Sequence, residues 1–159
     1  MKKKILLGLT ILAVLAPLCM AKPCDTYDPY AKNQGWAGKS SIYHAYLVEK
    51  DSCWHIIAGG AWGKLTFNND TGKFVFNGHA LECCTCYALI EYPKPQTTWP
   101  WPINTIATGS TDTDGELHLA GTYSFMQGDY IWLVLYNDIV SGSLSGWHPS
   151  EYLFEYDVL

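Results

Sequence analysis

The chain contains no arginine; all ten of its basic residues are lysines. Phosphate backbones are gripped largely by clustered Arg and Lys, so this composition argues against a nucleic-acid partner. No bidentate guanidinium is on hand for phosphate or carboxylate substrates either. Long apolar runs are missing after residue 21, which leaves nothing later in the chain for a membrane span of about 20 residues. No stretch carries a helical period. Catalytic signatures are scarce as well. There is no His-Glu-x-x-His, and His44, His55, His79, His118 and His148 are scattered. Gly142-Ser143-Leu144-Ser145-Gly146 has the outline of a nucleophile elbow, but Leu144 stands where the nucleophile would be and no strand-to-helix context follows. It reads as a flexible loop. With 15 acidic residues carboxylate pairs are inevitable, so none stands out as a glycosidase couple.

What is present begins at the N-terminus. Lys2, Lys3 and Lys4 lead into an apolar run from Ile5 to Leu18, followed by Cys19-Met20-Ala21, the pattern of a secretory signal peptide over 1–21 cut after Ala21. The mature protein is expected to be secreted or held at the cell surface. Acylation of Cys19 is disfavoured because Leu18 is bulkier than the small residue that normally precedes a lipidated cysteine. Cleavage leaves 138 residues with seven lysines against 15 acids, a net charge of −8. That length supports one domain with its own core.

All 23 aromatic residues follow residue 26, and their density beside Gly and Val/Ile/Thr runs predicts an all-β fold. Residues 22–42 are polar and aperiodic and read as a leader or tether; the domain is expected over 43–159. Strands are predicted at Tyr43–Val48 and Trp54–Ile57. A hairpin follows, Lys64–Phe67 returning as Lys73–Phe76 with Leu65, Phe67, Phe74 and Phe76 inward. Further strands are predicted at Tyr87–Tyr92, at Ile103–Gly109 and Glu116–Gly121 as a hairpin through Asp114-Gly115, at Tyr130–Tyr136, apolar on both faces as a central strand would be, and at Tyr152–Tyr156. About eight short strands without helix predict an antiparallel β-sandwich, with a closed β-barrel as the alternative.

A resemblance rests on Glu49-Lys50-Asp51, Gly59-Gly60-Ala61-Trp62-Gly63-Lys64-Leu65, Phe74-Val75-Phe76-Asn77-Gly78-His79, Leu89-Ile90-Glu91-Tyr92-Pro93, Ile131-Trp132-Leu133-Val134-Leu135 and Trp147-His148-Pro149-Ser150-Glu151-Tyr152-Leu153-Phe154-Glu155. In order and spacing these segments resemble an uncharacterised family of exported prokaryotic proteins, common in methanogenic archaea, with a single β-sandwich-like domain. The resemblance spans residues 45–159 and implies an exported domain, with no activity attached. Where those proteins usually have a Pro-Gly type of turn, this chain has Cys83-Cys84-Thr85-Cys86.

Five cysteines follow the signal: Cys24, Cys53, Cys83, Cys84 and Cys86. An odd count permits two internal bridges with one thiol left over, free or bonded to another molecule, and the connectivity stays open. One reading is structural, with Cys24 and Cys53 stapling the leader and first strands to the 83–86 turn. The other groups His79 with Cys83, Cys84 and Cys86 as soft ligands for zinc or Cu(I). Trp99-Pro100-Trp101-Pro102 offers two indoles on a stiffened loop, either a cap on the sandwich or a ligand platform suited to sugar rings. Asp112, Asp114 and Glu116 could offer oxygens to Ca²⁺, but lack the further ligands of an EF-hand loop. Asn69-Asp70-Thr71 is a glycosylation sequon at a hairpin tip. The function expected is a non-enzymatic interaction or structural module of the cell envelope or extracellular space. Its partner would be an extracellular protein or a polysaccharide. A thiol-based metal-binding protein and a carbohydrate-binding module using Trp99 and Trp101 are the alternatives.

Overall fold

The computed structural model describes residues 41–93 and 98–156. The signal segment, Cys19, Cys24 and the leader up to residue 40 lie outside them. Among the described residues eleven strands form: β1 (Ile42–Val48), β2 (Trp62–Asn68), β3 (Lys73–His79), β4 (Cys86–Glu91), β5 (Trp101–Pro102), β6 (Asn104–Ser110), β7 (Leu117–Thr122), β8 (Ile131–Leu135), β9 (Ile139–Val140), β10 (Ser143–Leu144) and β11 (Phe154–Glu155). They make three antiparallel sheets in the orders β11-β1-β2-β3-β7, β6-β4-β8 and β5-β10-β9, none closed on itself. The all-β, sandwich-like class therefore holds and the barrel does not.

The β2–β3 hairpin follows from strict alternation. Leu65 faces Phe76 and Phe67 faces Phe74, and all four are at most 3% exposed; burying each such side chain contributes about 1.5–3 kcal/mol. The turn is closed by Asn68, whose Oδ1 accepts the backbone N–H of Asp70 and of Thr71. This face packs on one side of the β6-β4-β8 sheet, where Tyr87, Leu89, Ile131 and Leu133 complete the first core. The opposite side of the same strands carries Ala88, Ile90, Trp132 and Val134, which meet Leu144, Tyr152 and Phe154 in a second core. Period-2 alternation with apolar residues on both faces thus gives strands buried on both faces.

Four sequence expectations change. Within the run Tyr130–Tyr136, Ile131 to Val134 are buried on both faces while Tyr136 is 50% exposed, and the central strand is β4; β8 lies at the edge of its sheet. Its outer backbone is instead paired by Leu133 and Leu153, which exchange two hydrogen bonds of 2.9 Å. Ile103–Gly109 and Glu116–Gly121 are strands but do not pair with each other. β6 pairs with β4 and β7 pairs with β3, in facing sheets, so the Asp-Gly turn carries the chain from one sheet to the other. Trp54–Ile57 is not a strand: Asp51 Oδ1 captures the N–H groups of Cys53 and His55 and Trp54 reverses the chain at φ +64°. The 142–146 segment is no free loop, since β10 runs through it and Leu144 is fully buried.

Candidate functional site

Tryptophans gather on the outer side of the second core. Trp101 stands nearly perpendicular to Trp99, with ring centroids 4.9 Å apart, to Tyr92 at 5.5 Å and to Trp147 at 5.4 Å. Trp147 continues to Phe154 at 6.2 Å, and Phe154 to Trp54 at 4.9 Å. Along this line of rings, exposed and covered members alternate. Trp54 is 53% exposed, Phe154 2%, Trp147 38% and Trp99 45%, with Trp101 half-buried. Underneath, Trp132 stacks on Tyr92 at 4.4 Å. Its Nε1–H is buried without a hydrogen-bond partner, a cost of about 1–3 kcal/mol that the surrounding ring contacts must outweigh. Trp101 therefore serves as the cap the sequence allows, while Trp99 remains available at the surface. Trp54 and Trp147 join that surface only in three dimensions; their separation in sequence concealed it.

Beside this surface lies a buried carboxylate. Asp138 is 7% exposed; its Oδ2 accepts the Tyr152 hydroxyl and lies 2.8 Å from His148 Nδ1. Hydrogen bonding from the imidazole to Asp138, then its charge, raises the His148 pKa above the usual histidine value. Burial, reinforced by Asp138, pushes the Tyr152 phenol far up. Asp138 also fixes its own turn, because its carbonyl accepts the N–H of Ser145 and of Gly146. With every partner on neighbouring loop residues, the trio reads as the anchor that holds Trp147 in place.

The cysteine-bearing turn is built differently from the expected staple or cluster. Cys53, Cys83, Cys84 and Cys86 are free, exposed thiols, and no two described cysteines are bonded; a pairing with Cys24 lies outside the described residues. The turn is clipped by Thr111, whose hydroxyl donates to the Glu82 carbonyl at 2.7 Å and accepts the Thr85 N–H at 2.9 Å. Within it, the adjacent Cys84 thiol raises the Cys83 pKa, which reduces the thiolate a soft metal requires. Cys86 meets Ser110 at 3.1 Å. His79 turns away to Glu116, with Nδ1 to Oε2 at 2.5 Å, and packs against Trp62.

Asp112 closes its turn by accepting the N–H groups of Asp114 and Glu116 at Oδ1, and the ligand atoms of Asp112, Asp114 and Glu116 do not all come within 4.8 Å of one another. Asn69 is exposed at the tip of the β2–β3 hairpin, as its sequon requires. Among the described residues, one set of three His, Cys, Asp or Glu side chains brings its ligand atoms within 4.8 Å of one another: Asp51, Cys53 and His55. Cys53 was legible as a thiol, but its grouping with Asp51 and His55 was visible only as Asp-x-Cys-x-His spacing. Comparison of the chain with protein-family models, with curated proteins and with solved structures finds no match.

Proposed function

We propose that this chain is an exported, non-enzymatic β-sandwich module that binds a neutral polysaccharide through the surface formed by Trp99, Trp147 and Trp54. The alternation of exposed and covered rings along one line of contacts carries the reading. Three separate indoles suit a polymer that touches the protein at intervals better than a protein partner, whose interface core is a continuous close-packed patch. Aromatic faces supply the apolar contact that sugar rings use. An acidic polymer is disfavoured by the absence of arginine and the excess of acidic residues, because like charges repel at close range. Export rests on the N-terminal pattern of lysines, apolar run and small-residue cleavage site. The resemblance to exported single-domain proteins points the same way.

Intrinsic tryptophan fluorescence tests the proposal. Titration with soluble neutral glucans, mannans and xylans is expected to shift the emission with at least one of them. Trp99→Ala and Trp147→Ala should each weaken that binding about tenfold, the equivalent of about 1.4 kcal/mol, with little change in Tm for Trp99→Ala and a lowered but still cooperative transition for Trp147→Ala, whose ring packs on Tyr152 and Phe154. Absence of a response across the panel, or binding indifferent to both substitutions, would refute it.

A further inference from the structure

We propose that Asp51, Cys53 and His55 form a binding site for a borderline divalent cation of the zinc class, on the turn between β1 and β2. The three side chains supply one oxygen, one sulfur and one nitrogen, and their ligand atoms lie within 4.8 Å of one another. That mixed set suits zinc and excludes magnesium and calcium, which take oxygen alone.

The spacing of two ligands carries the argument further. Asp51 Oδ2 and His55 Nδ1 are 3.4 Å apart, longer than the usual N–H···O range of about 2.7–3.2 Å. Two ligands bound at about 2.1 Å at the tetrahedral angle would stand about 3.4 Å apart. The pair is therefore spaced as co-ligands are. The sulfur must come to about 3.6 Å from the other two, a movement that rotation of an exposed cysteine side chain supplies.

The carboxylate is prepared for the role. Its Oδ1 is occupied by the N–H groups of Cys53 at 2.8 Å and His55 at 2.9 Å, which leaves Oδ2 for the metal. The turn is also held from outside the cluster: Trp54 packs on buried Phe154, and Lys50 pairs with Ile56 and reaches the Glu155 carbonyl. Three ligands from five residues leave the fourth tetrahedral position to water or to a group from outside. The site adjoins the tryptophan surface at Trp54 but takes no ligand from its rings, and metal binding is read in the absence of any sugar.

The test uses Co²⁺, whose thiolate charge-transfer and tetrahedral ligand-field bands report sulfur ligation directly. In the full mature chain with Cys24, Cys83, Cys84 and Cys86 replaced by serine, one equivalent of Co²⁺ is expected to give both bands, and Zn²⁺ should abolish them by displacement. Adding Cys53→Ser should remove the charge-transfer band, and His55→Gln should weaken binding at least tenfold, the lower end of the effect of losing an outer-shell partner. A second variant guards against misfolding: Cys53→Ser alone, with every other cysteine kept, should lose one equivalent of bound Zn²⁺. Absence of both bands in a folded single-cysteine chain, or full Zn²⁺ stoichiometry in the Cys53→Ser chain, would overturn the assignment.

Discussion

Asp138 illustrates how one buried carboxylate organises a surface. Among the described residues, His148 is the basic side chain paired with it, at 2.8 Å. Because the carboxylate raises the folded-state pKa of His148, the pair's contribution is fully present below the unfolded histidine value of about 6.5 and is lost as pH rises through the folded value. His44 has the opposite sign. Burial, then the charge of Lys64, lowers its pKa, so its contribution is present above about pH 6.5 and falls as the solution is acidified. Denaturant midpoints measured from pH 5 to 9 should therefore show His148→Gln losing stability mainly at the acid end. His44→Gln should relieve a destabilisation at that same end. Glycine at 115 is fixed by a different constraint: φ is +76° and an added Cβ would stand 2.3 Å from the Leu81 carbonyl oxygen. Gly115→Ala is expected to cost about 1–3 kcal/mol in chemical denaturation, since neither the backbone angle nor the Leu81 backbone can yield cheaply.

At the scale of elements, the β2–β3 hairpin should dominate stability. Phe76 is fully buried opposite Leu65, so Phe76→Ala is expected to cost about 3–5 kcal/mol. Val75→Thr on the exposed face of the same strand should stay within about 0.5 kcal/mol. This hairpin was legible in the sequence because alternation and a polar turn agreed within one short segment. The partners of β6 and β7 were not. Asp-Gly marks a chain reversal, but the choice of sheet is made by Leu117 and Leu119, which reach the first core beside Phe76. The two-residue strands β5, β9 and β10 are too short to carry a period and arise from tertiary packing around Leu144. Trp54–Ile57 looked apolar enough for a strand; the local hydrogen bonds of Asp51 outcompeted the ladder there. The same bonds assemble the Asp51–Cys53–His55 turn. The sequence groups His79 with the denser cysteine run, whereas in the fold it is Asp51, Cys53 and His55 whose ligand atoms converge.

For the molecule as a whole, the two cores divide the labour. The first joins the five-stranded sheet to β6-β4-β8 and is made mainly of Leu and Phe; the second backs the tryptophan surface and sets Trp132, Tyr152 and Phe154 among aliphatic residues, with Tyr92 and Trp101 packed against it. Under the proposed function, that division separates folding from recognition. Trp132, 6% exposed, belongs to the framework, so Trp132→Ala should lower stability by about 3–5 kcal/mol. Trp99 and Trp147 project from it. Fluorescence titration of the chain, its Trp99→Ala variant and its Trp147→Ala variant against a panel of soluble neutral polysaccharides tests this account most directly. The expected result is saturable binding to at least one polymer, weakened about tenfold by either substitution, with Tm unchanged in the Trp99→Ala chain. Emission that stays unchanged across the panel, or binding that survives loss of both indoles, would contradict it.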